Sequence, residues 1–462
     1  MALPRLPLHY VPDWVVPGLR HRLPLLPRRP LSMVLLVVAG GGLAGVVGLW
    51  WRQTPVDRLQ SVGDCLVGLA QITGLVGAYL VLVEIALMAR FPYLERRLGS
   101  WLASAHRNLG GYLILLLAAH VGLVVGAYSV SLREAPPVVV VGVLQTYPGV
   151  LAATVGFLVM VLAGFASARG VRRRLGYEGW HGIHLLLYPA AAAAFWHQLT
   201  LGAQFSRNRW AAGAWAGVHA VVAVAVVSNR VLIPLLNNRR HRFRVTGVEE
   251  HGADVMSIYI SGSYVSELGA EAGQYFRWRF MARGLWYQAH PFSLSAAPNE
   301  HTFRLTFKCV GGYTRRLRRL RPGARVLVDG PYGAFTGILR RQRGVVMIGG
   351  GIGVTPLRAI AETMHGRRRD IVFVQRASKV ADLILTRELE ALDRAGRIIY
   401  IPAVGSRKND PLSAERLLDL VPDLGDREVF ICGSAGMAAA VVRNLRRAKV
   451  RRGRIHTEIF DF

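Results

Sequence analysis

At 462 residues the chain has room for two or three domains, and a hydrophobic fraction of 52% excludes an ordinary soluble protein. The formal charge of +29 is scattered between apolar stretches and over the C-terminal half, with no aromatic-interleaved basic cluster or zinc pattern, so no nucleic-acid partner is expected. Cys65, Cys309 and Cys432 lie too far apart for a disulfide framework or an iron–sulfur site, so any redox centre must use other ligands.

Residues 1–30 are rich in Pro and Arg and lack the short apolar core and cleavage site of a signal peptide; a cytoplasmic N-terminal segment is expected. Six apolar windows follow, at 31–51, 62–89, 109–130, 149–168, 182–201 and 213–236, each close to the ~20 residues that cross a bilayer as a helix. Arginines at the N-terminus and after the second and fourth windows (among them Arg90, Arg96, Arg97, Arg107 and Arg169, Arg172, Arg173, Arg174) outnumber those of the alternate loops by thirteen to five. This places both termini in the cytoplasm of a plasma-membrane protein whose direct partner is the lipid bilayer. Asp64 and Glu84 sit near the ends of the second window and are expected at its interfaces.

The third window carries His106 and His120, fourteen residues apart, which a helix separates by about 21 Å along its axis and about 40° around it. His184 and His197 in the fifth window are thirteen residues apart, about 19.5 Å. The two windows run in the same direction, so His106 matches the depth of His184, and His120 that of His197. An ideal helix would leave His184 and His197 about 140° apart, and Pro189 between them supplies the break that can correct the phase. Paired imidazoles in lipid with no carboxylate in reach suit axial ligation of haem. The plainer reading, isolated histidines hydrogen-bonded between helices, is kept for His181 and His219, which have no depth-matched partner.

After the basic hinge NNRRHRF (237–243) the pattern changes to short alternating strands and tight turns, as in VMSIYISG and ARVLVDGPYG, which predicts a small antiparallel β-barrel over 237–340. From 341 to 462, the strand-like runs VVMIGG, DIVFVQR, RIIYIPA and EVFICG alternate with helical stretches, which predicts a parallel α/β nucleotide-binding domain. The fold class is therefore a six-helix transmembrane bundle (31–236), a β-barrel and an α/β domain. In KCVGGYT, Gly311 and Gly312 open a helix whose free N–H groups up to Thr314 suit a pyrophosphate. In GGGIGVTPL, Gly349, Gly350, Gly351 and Gly353 allow close approach of a dinucleotide, with Thr355 expected as the N-cap and Pro356 in the first turn. The spacing is not the G-x-G-x-x-G of ordinary dehydrogenases.

RRLGYEGWHGIHLLLYPA (173–190), together with the two histidine pairs, resembles the ferric reductase and NADPH oxidase family of transmembrane flavocytochromes b, a likeness that runs through nearly the whole chain after residue 30. HPFSLSAAP (290–298), KCVGGYT, GGGIGVTPL and CGSAGM (432–437) are similar to the flavin and nicotinamide signatures of that family and of ferredoxin–NADP reductases. The resemblance implies that His106 with His184, and His120 with His197, ligate two b-type haems, and that Arg107 pairs with haem propionates. It implies FAD held by His290, Pro291, Phe292, Ser293, Lys308, Gly311, Gly312, Tyr313 and Thr314, with the Ser293 hydroxyl near the reacting flavin nitrogen. It also implies nicotinamide nucleotide on the two glycine turns, with Cys432 and Gly433 near the reacting ring and Arg376, at a strand end without an acidic residue, on the adenosine 2′-phosphate. NADPH is thus expected, with NADH as the alternative nucleotide. A C-terminal aromatic, Phe460 or Phe462, covers the flavin until nicotinamide displaces it. The plainer readings are a small buried residue for Cys432 and last-strand packing for both phenylalanines.

The expected activity is transfer of electrons from cytoplasmic NADPH through FAD and two haems to a small-molecule acceptor outside. Oxygen and a ferric complex need the same path. Eukaryotic oxidases of the family carry a further histidine one turn beyond the outer ligand, where this chain has Val124. Two other classes remain open on sequence: a haem-free flavoreductase with a membrane anchor, and a nucleotide-sensing transporter.

Overall fold

The computed structural model describes residues 28–54, 59–252, 254–366, 368–406 and 410–460. Most of the expected cytoplasmic segment 1–30, Arg58 and Phe462 lie outside these residues. Contacts divide the chain into a helical unit, which ends at Leu232, and a second unit built mainly from Ile233–Phe462.

The helical unit runs α1 (Arg28–Gln53), α2 (Val62–Leu87), α3 (Pro92–Leu132), α4 (Pro136–Thr146), α5 (Val150–Ala166), α6 (Arg169–Leu185), α7 (Leu187–Leu201), α8 (Ala203–Ser206) and α9 (Arg209–Val227). Local chemistry sets the boundaries. Ser61 and Asp64 form a reciprocal capping box on α2, proline opens α3 and α4, and Asn208 caps α9. Gly149, at φ +82°, makes the turn into α5 that a side chain would strain.

Among the described residues, four helices are long and apolar enough to cross a membrane: Pro30–Gln53, Val62–Leu87, Trp101–Leu132 and Arg209–His241. The count becomes five if α4 and α5, bent by 117°, form one broken span. The fourth and fifth of the six expected windows are not among these four. The fifth window is split at Leu186 into α6, itself kinked at Gly176, and the 15-residue α7, too short to span alone. Pro189 lies in the first turn of α7, so it begins that helix where a straight one would have continued. In this unit α5 packs closely on α7: a Cβ on Gly156 would lie 2.6 Å from the Ala190 carbonyl oxygen, the small-residue contact expected between membrane helices.

The second unit begins with α10 (Ile233–His241) and then β1 (Arg244–Glu250), β2 (Val255–Ser261), β3 (Tyr275–Phe280), β4 (His290–Ser293), β5 (Thr302–Lys308), α11 (Gly312–Leu317) and β6 (Val326–Tyr332). They form two antiparallel three-stranded sheets, β1-β2-β5 and β4-β3-β6, and isolated bridges join β1 to the start of β6 (Arg244 with Arg325) and the end of β4 to β5 (Leu294 with Leu305). The period of two is clear in β3, where Phe276, Trp278 and Phe280 are fully buried while Tyr275, Arg277 and Arg279 are not.

A five-stranded parallel sheet follows, ordered β11 (Ile455–Ile459), β10 (Glu428–Gly433), β7 (Val345–Gly350), β8 (Ile371–Ala377) and β9 (Ile399–Val404). Its helices include α12 (Val354–Thr363), α13 (Thr386–Arg394), α14 (Ala414–Leu420) and α15 (Ala435–Arg447). β7 and β10 read as unbroken apolar runs because helices cover both faces. The strand order reverses between β7 and β10, and the crevice at such a reversal is where open α/β sheets bind ligands.

Candidate functional site

α2, α3, α6 and α7 bring the four membrane histidines into two places. The rings of His106 on α3 and His184 on α6 lie 5.9 Å apart, edge to face at 84°. A metal–imidazole bond is about 2 Å, so two ring ligands of one ion place their centres about 6 Å apart. The pair therefore fits axial ligation. The buried Nδ1 of His184 has no hydrogen-bond partner among the described residues. His197 lies within electrostatic range of His120. Its backbone packs on Gly149, where a Cβ would come within 3.2 Å of the His197 nitrogen.

α2 backs both α3 histidines. His120 Nδ1 is 2.8 Å from the Ala70 carbonyl oxygen, and its ring lies on Gly74, where a Cβ would meet Cε1 at 2.6 Å. His106 Nδ1 is in direct contact with Glu84 Oε2. This corrects the expectation that the paired imidazoles have no carboxylate in reach. Glu84, near the end of α2, is only 6% exposed and faces α3. Its position near the end of a window hid this, because depth along one helix says nothing about which neighbour the side chain faces. Asp64 does sit at the helix start as expected, in the α2 cap.

Around His184, Trp180 stacks on the ring at 5.1 Å and 29°, and the Arg172 guanidinium lies 4.1 Å from the Trp180 ring centre. Arg107 donates to the Ser104 hydroxyl at 3.3 Å. His181 stacks on Tyr177, and His219 contacts the Trp215 carbonyl oxygen at 2.9 Å.

In the second unit, β4 presents His290, Pro291, Phe292 and Ser293 beside β3, and the Trp278 indole fixes the strand by donating to the Phe292 carbonyl at 3.0 Å. Ser293 is buried at 7% exposure. The His290 ring lies 3.7 Å from that of Tyr313 on α11. Burial pushes the Tyr313 hydroxyl well above its ordinary pKa, and the oxygen has no hydrogen-bond partner among the described residues. At the start of α11, Gly311 N–H donates to the Thr314 hydroxyl at 3.1 Å, and open space lies over both Gly311 and Gly312. Lys308 is exposed at the end of β5. β4, α11 and the end of β5 thus gather the expected flavin residues.

At the sheet reversal, Gly349 of β7 is paired in register with Cys432 of β10. A Cβ on Gly353 would lie 2.3 Å from the Cys432 carbonyl oxygen, so only glycine permits this approach of the two turns. Gly351 adopts φ +54°. Thr355 is not the N-cap. α12 starts at Val354, with Gly353 in the cap position, and the Thr355 hydroxyl donates instead to the Ile352 carbonyl at 2.8 Å, while Pro356 does fall in the first turn. Cys432 is fully buried within a hydrophobic core, and burial, reinforced by Glu458, pushes its thiol well up. Arg376 stands beside Gly350 at the same end of the sheet. Phe460 N–H donates to the Gly433 carbonyl at 3.1 Å, which brings the last described aromatic to the second glycine turn.

Residues 73–195 match the ferric reductase like transmembrane component, residues 240–336 an FAD-binding domain, and residues 347–443 an oxidoreductase NAD-binding domain. Its helical part is thus similar to the ferric reductase like transmembrane component, and the two stretches after it to FAD- and NAD-binding domains. In this chain the membrane match contains His106, His120 and His184 and stops two residues before His197.

It is 30% identical over 186 residues to the glycine betaine monooxygenase reductase subunit of Pseudomonas aeruginosa, covering 37% of this chain and 50% of that one. It is 36% identical over 80 residues to NADPH oxidase 1 of Mus musculus, 16% of this chain and 14% of that one. The chain spans about half the length of the first curated relatives it matches. A solved flavohaem-like FAD/NAD-binding domain of nitric oxide dioxygenase from Vibrio cholerae is 22% identical, with a TM-score of 0.41 over 48% of this chain and 99% of that one.

Proposed function

We propose that this membrane oxidoreductase carries electrons from cytoplasmic NADPH, through FAD and two b-type haems, to an oxygen or ferric acceptor at the outer face of the plasma membrane. When bound between β4 and α11, FAD would supply the chemistry that couples a two-electron hydride from the nucleotide to one-electron haem iron. The observation that carries the reading is the pairing of His106 with His184 at 5.9 Å, with His120 set about 21 Å further along the same helix beside His197. Two stacked ligand pairs divide a ~30 Å hydrocarbon layer that no hydride can cross.

The residues divide the work. His106 and His184 hold the group nearer the arginine-rich loops, His120 and His197 the other. β4 and Tyr313 flank the flavin ring, with the Ser293 hydroxyl beside it, while Gly311, Gly312 and Thr314 receive its pyrophosphate. The turns at Gly349–Gly353 and Cys432–Gly433 admit the nicotinamide end, Arg376 takes the 2′-phosphate, and Phe460 excludes water from the flavin face. The six-crossing topology with cytoplasmic termini, and a closed six-stranded barrel made by the two antiparallel sheets, belong to the same reading.

The test is an absorption spectrum of the purified protein in detergent before and after anaerobic NADPH, with haem and flavin counted per chain. Two b-type haems reduced through one FAD are expected. A chain that holds flavin and no haem is instead a membrane-anchored flavoreductase. Admitting oxygen or a ferric chelate to the reduced sample then identifies the acceptor.

A further inference from the structure

α2 and α3 run antiparallel in a register that repeats. Ala70 meets His120 and Glu84 meets His106, so that fourteen residues of α2 match fourteen of α3. Each α3 histidine thus finds its Nδ1 partner at the corresponding level of α2, but the two partners differ in kind. At His120 it is a neutral backbone carbonyl, and at His106 a carboxylate. Neither Glu84 oxygen has another hydrogen-bond partner among the described residues, and the side chain is 8% exposed, so His106 is its whole compensation for burial. A Cβ on Gly110, one turn along α3 from His106, would meet Glu84 Oε1 at an ordinary 3.8 Å.

We infer that Glu84 is a positioning residue that holds His106 with Nδ1–H toward α2 and Nε2 toward His184, and that its charge sets the redox potential of that haem below that of the other. A ligating histidine normally donates its second ring nitrogen to an outer partner, which fixes the tautomer and ring orientation, and a carboxylate in that role makes the imidazole a stronger electron donor. Stronger donation favours ferric over ferrous iron. The carbonyl of Ala70 gives His120 the orientation without the added charge. The asymmetry between the partners therefore makes transfer from the His106–His184 site to the His120–His197 site downhill, a direction that four identical ligands would not create.

This rests on the haem reading above, and the experiment separates the two. The full-length protein in detergent is titrated by spectroelectrochemistry as wild type, Glu84→Gln and Glu84→Leu, with haem and FAD counted in each. Wild type is expected to show two one-electron steps. Glu84→Gln keeps an acceptor for Nδ1–H and loses the charge; it should raise the lower step by about 60 mV, a tenfold change in its equilibrium constant, and leave the upper step in place. Glu84→Leu should in addition retain one haem about tenfold less firmly than the other. A wild type without two haem steps sinks the haem reading. Two steps that do not move in Glu84→Gln, a shift of the upper step, or loss of both haems together would overturn the role of Glu84 alone.

Discussion

Arg376 and Glu458 show how single side chains are tuned by where a strand ends. Arg376 stands at the C-terminal end of β8 beside Gly350, where a guanidinium can form paired hydrogen bonds to a phosphate. Arg376→Ala is expected to raise the KM for NADPH by about tenfold and to leave that for NADH nearly unchanged, since a lost charged hydrogen bond is worth about 1.5–3 kcal/mol. Steady-state dye reduction with each nucleotide reads this directly. Glu458 lies opposite Cys432 in the β10–β11 ladder, and burial raises its carboxyl to about 7 from an ordinary 4.5. The folded state thus binds this proton more tightly than the unfolded chain does. The resulting stability is complete below 4.5 and is lost as pH rises through about 7. Glu458→Gln should remove that loss, gaining roughly 2 kcal/mol above neutral pH once the partial exposure of the side chain is discounted, and flattening the pH profile of thermal inactivation.

Helix breaks, rather than helices, decide where His197 points. With an uninterrupted helix from His184 the two rings would diverge by about 140°. The split at Leu186, followed by Pro189 in the first turn of α7, interrupts that helix between the two rings. Pro189→Leu is expected to leave FAD content and one haem intact and to lose the haem held by His197. Retention of both haems would assign the break to packing, in particular to the close contact of Gly156 on Ala190. The same scale explains why Thr355 is not a cap. The helix start follows the approach of Gly353 to the Cys432 carbonyl, a contact with another strand, and the hydroxyl of Thr355, the second helical residue, simply returns to its own backbone.

Within the strand-rich unit, the flavin-side sheets and the parallel sheet are tied by ions. Arg304 of β5 donates to both Glu388 oxygens, at 2.8 and 2.9 Å, and Arg358 of α12 reaches the same carboxylate at 2.8 Å. Arg358 also pairs with Glu362, which accepts the Ala297 N–H at 2.6 Å. Glu388→Ala would leave two largely buried guanidiniums without their shared acid. A loss of about 2–3 kcal/mol is expected, less than the fully buried limit because Glu388 is partly exposed. Thermal release of FAD, followed by its fluorescence, should shift to lower temperature, and the KM for NADPH should rise as the two layers loosen. A melting profile equal to wild type would show the clamp to be neutral.

The apolar windows, the fourteen- and thirteen-residue histidine spacings, and the glycine turns after β7 and β10 were all readable from the chain alone. Each is fixed by local period or by the conformational freedom of one residue type. The same holds for the change from membrane helices to strands near residue 237. What needed the tertiary structure were the facts that depend on a second element. These include the bend between α4 and α5, the split of the fifth window, the burial of Cys432 in a core, and the antiparallel register that puts Ala70 on His120 and Glu84 on His106. A sequence shows how deep a carboxylate lies along its own helix. Only packing shows which imidazole lies across from it.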